Sequence, residues 1–255
     1  MKKSARLLPK MRKTYSKSEK PKVSIVIRTK NEEKWLGKLL EKLGQQTFKN
    51  FEVIIVDNDS TDKTLEIAKK FKVNRIISIP NKEFSHPYST NLGIKNSAGK
   101  FVALTNGHCI PMSNTWLEDG LKNFENQKVA AIDGHYTIGS EGRLWQRMAD
   151  RGYAPQMKLR LENRHASTTN AIIRKDLWEK YPFDESLEEC EDYDWSKEMI
   201  ARGYKIIKDP KFNVFHYHPL TITQSLKRQS KWQYFCNLIN KRKRPRKSFT
   251  KIKIK

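Results

Sequence analysis

The stretch Phe51–Asp62, FEVIIVDNDSTD, decides the fold. Val53, Ile54, Ile55 and Val56 follow one another with no polar residue between them, so both faces of the strand they predict must be covered, as in a sheet flanked by helices. The run stops abruptly at Asp57, which puts a carboxylate at the strand's carboxyl end, the edge where open α/β sheets bind ligands. Asp59 or Ser60 can cap the helix that Leu65, Ala68 and Phe71 imply. Asp57, Asn58 and Asp59 suit a plain turn and cap equally well, because turns favour the same residue types.

Upstream, Lys22 to Ile27 reads as a first strand and Trp35, Leu36, Leu39, Leu40 and Leu43 as a helix that Gly44 can end. Downstream, strands are expected at Arg75 to Ile79, Phe101 to Leu104, Val129 to Ile132, Ser167 to Arg174, Lys205 to Ile207 and Asn213 to Phe215. Helices are expected at Ser89 to Asn96, Trp116 to Phe124, Asp176 to Lys180, Leu187 to Tyr204 and Leu226 to Ile239. Alternation of this kind predicts one α/β domain with a mostly parallel central sheet and right-handed crossovers. Periodicity fades between Thr137 and His165, a length that marks a functional excursion or lid.

The 255 residues carry a net charge of +23, and its location matters more than its size. Residues 1–22 contribute +8 and residues 227–255 contribute +12, so only +3 belongs to the body at 23–226. These are the three expected parts: a basic N-terminal tail, the folded domain, and a basic C-terminal helix and tail. Basicity confined to tails suits an anionic membrane surface better than a nucleic-acid groove, with plain solvated ends as the other reading. No apolar run is long enough to span a bilayer and the N-terminus lacks a signal-peptide core, so a cytoplasmic protein, peripheral at the inner face of the membrane, is expected. Cys109, Cys190 and Cys236 are odd in number and far apart, which argues against a disulfide framework and a CxxC metal knuckle.

Four segments in order, VSIVIRTKNE, QTFKNFEVIIVDNDSTDKT, STNLGI and CEDYDW, resemble the GT-A nucleotide-sugar glycosyltransferases of the inverting family 2, in particular the rhamnosyltransferase-like branch. The resemblance covers about Lys22 to Leu220 and implies the GT-A three-layer α/β/α sandwich. It also implies transfer of a sugar, rhamnose or another hexose, from a UDP- or dTDP-sugar to a saccharide or lipid-linked saccharide acceptor in cell-surface polysaccharide assembly. Thr29, Asn31, Glu32 and Asp57 would line the nucleotide pocket, with Asp57 accepting from the imino N–H of the base. Asn91 and Gly93 match the family's Asn-x-Gly near the ribose and diphosphate, although Thr90 stands where the family often has Arg.

The family's Asp-x-Asp metal motif is replaced by Asn106-Gly107-His108. Loss of both acids disfavours Mg²⁺, and imidazole suits Mn²⁺ or softer metals. His216 and His218 lie two apart at a strand end and so face one side. With His108, one of them would hold a divalent cation beside the diphosphate, or all would donate to phosphate without metal. Glu191 and Asp192 match the Glu-Asp pair that meets the acceptor, with Asp192 as the expected base and Glu191 as the alternate. Asp194 and Trp195 would shape the acceptor pocket. The competing class is a non-catalytic module that binds sugar, lipid or RNA.

Overall fold

Two buried apolar runs, β1 (Val23–Thr29) and β2 (Phe51–Asp57), lie side by side in parallel with Thr29 in register with Asp57. The computed structural model that shows this describes residues 20–138, 161–162, 165–216 and 221–246. Strand alternation explains why neither run contains exposed positions. Val23, Ile25, Ile27, Val53 and Ile55 point into one apolar cluster, while Val26, Ile54 and Val56 point into another on the opposite face. At about 1.5–3 kcal/mol for each fully buried aliphatic side chain, these two faces anchor the sheet.

The first cluster is closed by α1 (Leu36–Gly44), α2 (Thr64–Lys70) and a later helix that starts at Trp116, through Leu36, Leu39, Leu40, Leu43, Ala68, Trp116 and Leu117. Three further elements complete the first half of the sheet: β3 (Arg75–Ser78), α3 (His86–Lys95) and β4 (Phe101–Asn106). A short β5 (Ile110–Pro111) and α4 (Trp116–Lys122) follow, then β6 (Val129–Thr137), β7 (Leu161–Glu162) and β8 (Asn170–Arg174). The last elements are α5 (Lys175–Lys180), α6 (Glu191–Ala201), β9 (Lys205–Phe215) and α7 (Ile222–Asn240). Helices α3, α5 and α6 cover the second face with Ile94, Leu177, Trp178, Trp195 and Met199. The result is three layers.

The strand order is β3-β2-β1-β4-β8-β6-β9-β5, with β7 also paired to β9. Six of the nine described strands run one way, and β8, β5 and β7 run against them. The two strands expected at 205–207 and 213–215 are a single strand. Pro210 has no N–H to donate, and the ladder skips from Asp209 to Asn213 opposite Gly134 and His135, so the chain bulges there and resumes. Helix α6 starts at Glu191, later than expected, because Cys190 takes a left-handed φ of 66° that breaks the helical path.

The basic C-terminal run is not a wholly solvated tail. Thr221 caps α7 with a reciprocal box to Gln224, and Cys236 and Ile239 pack against Leu187 and Cys190. Beyond α7 the chain folds back, and Arg242, Arg244 and Arg246 pair with Asp184, Asp194 and Glu198. The N-terminal tail through residue 19, most of the expected excursion, His218 and residues 247–255 lie outside the described residues. Among the described residues, no helix is long and apolar enough to cross a membrane.

Candidate functional site

The carboxyl ends of β1, β2 and β4 meet at one edge. Thr29 Oγ1 donates to Asp57 Oδ1 at 2.9 Å, Ser60 Oγ donates to the same oxygen at 2.6 Å, and the Ser60 N–H donates to Oδ2 at 3.0 Å. Asp57 is buried, yet every group that holds it is neutral, so its charge is fixed in place without being cancelled. Oδ2 retains capacity for another donor, as a base N–H would require. Neither Asp59 nor Ser60 caps α2. Ser60 is turned towards Asp57, and Asp62 Oδ1 accepts from the Thr64 N–H at 2.9 Å instead.

Asn31, also left-handed at φ 54°, knits the β1 and β2 turns together: its N–H donates to Ser60 Oγ at 2.8 Å and its Oδ1 accepts from the Thr61 N–H at 2.9 Å. Glu32, expected beside a nucleotide, is engaged by the turn after β4. Its Oε1 lies 2.6 Å from His108 Nδ1 in the turn after β4. Gly107 makes that approach possible, since a Cβ there would stand 2.7 Å from Glu32 Cγ.

Two expected nucleotide contacts have other tasks. Asn91 Nδ2 donates to the Phe183 carbonyl and Glu185 Oε1, while Oδ1 accepts from Trp178 Nε1 and the Phe183 N–H. Its amide is thereby saturated inside the protein. Gly93 is a packing residue, because a Cβ there would come within 2.3 Å of Val26 Cγ1 where α3 crosses β1. The Asn-x-Gly motif therefore seats α3 and the loop before α6.

Arg28 was not singled out in the sequence, and it joins the two sides of the site. Its Nη2 donates to Asn106 Oδ1 at 3.1 Å and to Thr168 Oγ1 at 3.3 Å, and its Nη1 donates to His86 Nδ1 at 3.0 Å. Burial, with the charges of Arg28, Arg228 and Lys231, holds His86 down at about 4, so the ring is neutral and can accept. The Thr168 N–H in turn donates to Asp192 Oδ2 at 3.0 Å. A signal existed: Arg28 sits level with Asn106 across the β1–β4 pairing.

Glu191 and Asp192 open α6, where the helix N-terminus favours negative charge. Burial, and then the neighbouring Asp192 charge, push Glu191 up to about 7 against the pull of Arg28. The left-handed Cys190 just before them packs in an apolar cluster with Cys236, Leu187 and Ile239. Asp194 and Trp195 do not line an acceptor pocket. Asp194 Oδ1 is taken by Arg242 at 3.1 Å and Arg244 at 2.7 Å, and Trp195 donates from Nε1 to the Tyr181 carbonyl within the core. Helical periodicity turns both inward while leaving Asp192 at the edge.

The structure brings His108 and His216 together as stacked rings, 5.0 Å between centroids and 14° apart in plane. The pairing of Ile110 with Phe215 between β5 and β9 sets Cys109 beside His216. Ligand atoms of His108, Cys109 and His216 all lie within 4.8 Å of one another. Cys109 was read as an isolated cysteine; burial pushes its thiol up to about 12.

Comparison with known proteins agrees with this architecture. The family model described as Glycosyl transferase family 2 matches residues 24–181. Glycosyltransferase AglE of Haloferax volcanii is 32% identical over 195 residues, which cover 73% of this chain and 64% of AglE. The chain thus spans less than two thirds of that relative's length. Among solved structures, the mannosyltransferase PcManGT of Pyrobaculum calidifontis, in complex with GDP-Man and Mn²⁺, superposes with a TM-score of 0.69 at 17% identity, covering 89% of this chain and 67% of that one. TarS of Staphylococcus aureus in complex with UDP-GlcNAc gives a TM-score of 0.60 at 20% identity over 80% of this chain and 60% of that one. These likenesses establish the GT-A-like fold, and by the family match the chain belongs to glycosyl transferase family 2.

Proposed function

We propose that the chain transfers a sugar from a UDP- or dTDP-sugar to an acceptor hydroxyl with inversion at the sugar's anomeric carbon. The observation that carries this reading is the bridge Asn106–Arg28–Thr168–Asp192, which joins the nucleotide edge to the carboxylate pair through three hydrogen bonds. Asp57 and Thr29 hold the base. Asp192 takes the proton of the acceptor hydroxyl as its oxygen bonds to the anomeric carbon. The bond from that carbon to the diphosphate oxygen breaks on the opposite face, and the nucleoside diphosphate leaves with its electron pair. Arg28 is a fixed positive charge for that leaving group.

A cation also fits the turn after β4, provided it is not one that demands all-oxygen ligands. Asn106 and His108 offer no carboxylate where Mg²⁺ would want one, but His108 and His216 suit Mn²⁺ or a softer ion, with Glu32 as the nearby acid. When bound, such an ion supplies charge compensation to the departing diphosphate.

The acceptor is a saccharide or lipid-linked saccharide of a cell-surface polymer, and the rhamnosyltransferase-like motifs favour a deoxyhexose donor. AglE and TarS, similar over part of their length, are themselves named as glycosyltransferases. Exposed Ile222, Leu226, Trp232, Tyr234 and Leu238 of α7, interleaved with Lys227 and Arg228, support work at an anionic membrane from the cytoplasmic side, whereas Lys231 is already engaged by Glu189 at 2.9 Å.

A panel of UDP-, dTDP- and GDP-sugars with simple saccharide acceptors, read by mass spectrometry and by NMR of the product anomer, tests the reading. Transfer from a uracil or thymine nucleotide with an inverted anomer is expected. Tight binding of such a donor with neither transfer nor hydrolysis would favour the binding module.

A further inference from the structure

We propose that His108, Cys109 and His216 form a site for a single transition-metal cation of the Zn²⁺ or Co²⁺ class, with Cys109 as a ligand and Glu32 as the carboxylate behind it. The proposal rests on the preceding reading only for the ion's place beside the diphosphate; the ligand set stands on its own geometry.

The three donors come from separate places in the chain and are brought together by the sheet. His108 and Cys109 belong to the turn between β4 and β5, and His216 follows β9 directly. Because Ile110 pairs with Phe215, the residues flanking that pair meet on one side of the short β5–β9 ladder. The result is two imidazoles and one thiol with ligand atoms inside 4.8 Å of one another. That spread is a little wider than a closed tetrahedral site, whose metal–sulfur and metal–nitrogen bonds are about 2.3 and 2.0–2.1 Å, so the three donors would draw in around a bound ion.

Glu32 gives an independent reason. A metal-bound histidine usually donates its other ring N–H to a carboxylate, which fixes the tautomer and strengthens the ligand nitrogen. Glu32 Oε1 stands 2.6 Å from His108 Nδ1, and Gly107 is required for that approach. With Nδ1 committed to Glu32, a cation takes Nε2. The acids missing at positions 106 and 108 are thus replaced by one carboxylate a shell further out, and the inner donors become nitrogen and sulfur. Such a set ranks Zn²⁺ and Co²⁺ above Mn²⁺ and excludes Mg²⁺, which prefers oxygen.

The test uses the full chain, freed of metal with a chelator and titrated with Co²⁺ alone, with no nucleotide sugar present. One equivalent should bind and give tetrahedral ligand-field bands together with a thiolate-to-cobalt charge-transfer band. Zn²⁺ should displace it, and excess Mg²⁺ should not. Cys109→Ser should lose the charge-transfer band, whereas the double variant Cys190→Ser and Cys236→Ser should keep it. Glu32→Gln should bind about 10–100-fold more weakly with the band retained. His216→Ala should lose tight binding, with circular dichroism verifying that each variant is folded. Absence of Co²⁺ binding, or a spectrum unchanged by Cys109→Ser, overturns the proposal. Because no donor is used, either result leaves the transferase reading to be judged by its own assay.

Discussion

Asp57 at the end of β2 and Asp194 with Glu198 on α6 are all buried carboxylates, and the fold treats the two sets differently. Asp57 is held by two hydroxyls and one backbone N–H, all neutral, and among the described residues no Lys or Arg is paired with it. Asp194 and Glu198 on α6 are met by Arg242, Arg244 and Arg246, with Arg244 reaching both acids at 2.7 and 3.0 Å. A buried carboxylate held only by neutral donors keeps capacity for one more, which is what the proposed nucleotide contact would use. A buried charge surrounded by guanidinium groups is already answered, and its work is to fix the helix that carries Glu191 and Asp192. Burial and acidity alone do not separate function from support; the identity of the donors does.

The sharpest break of this comparison is at the start of α6, two residues before the clamped acids begin. Asp192→Asn keeps the bond from the Thr168 N–H but cannot take a proton, so turnover should fall by about 10²–10⁴-fold with donor affinity unchanged. Single-turnover transfer alongside donor titration measures both. Near wild-type turnover would move the base to Glu191.

Arg244→Ala attacks the answered set. It strips the guanidinium that bridges Asp194 and Glu198, whose side chains are 1% and 0% exposed. Removing one partner of a buried pair costs about 3–5 kcal/mol, and the lower end is expected because Arg242 and Arg246 remain. Urea unfolding reads this directly. A loss under about 1 kcal/mol, the size of a surface pair, would mean that the clamp is ornamental.

Asp57→Asn probes the unanswered set and should do the reverse. The shape and two of the three bonds survive and only the Ser60 N–H loses its acceptor, so the loss of stability should stay at about 1 kcal/mol, below that of Arg244→Ala, while a charged acceptor for the base is lost. Hydrogen bonds to charged groups are worth about 1.5–3 kcal/mol, which corresponds to roughly 10–100-fold in nucleotide affinity. Calorimetry with UDP and dTDP checks it, and a variant that loses stability but still binds would invert the contrast.

What could be read from the sequence follows the same division. The Val53 to Val56 run, its neighbours and Asp57 were legible because a doubly buried parallel strand leaves a continuous apolar signature and ends abruptly at its ligand edge. The meeting of His108 with His216 was expected only through the family resemblance, since the positions themselves said no more than that His216 and His218 face one side. Asn91 was misread because its partners, Trp178 and Phe183, lie far along the chain and nothing local records that its amide is saturated. Arg242 to Arg246 read as part of a basic tail for an anionic surface, or as solvated charge, since the acids they neutralise sit about 50 residues earlier. Asp194 and Trp195 shared a motif with Asp192, and only the helical turn between them decides which faces the cleft.

The smallest expected effect lies at Glu191, which among the described residues is neither paired like Asp194 nor held like Asp57. Its folded value of about 7 lies above the ordinary 4.5 because burial and the Asp192 charge oppose ionisation. Between those values the folded chain keeps a proton that the unfolded chain has released. Stability from this group is therefore whole below about pH 4.5, falls as the pH rises through the window, and reaches its lowest contribution above about pH 7. Glu191→Gln cannot ionise and should not show that fall. Unfolding by urea across this range should give curves for the two proteins that run together at the acid end and separate at the neutral end, with the variant the more stable. If the wild-type chain instead gains on the variant as the pH rises, Glu191 is stabilised as a carboxylate, Arg28 outweighs burial, and Glu191 joins the acids that the fold itself neutralises.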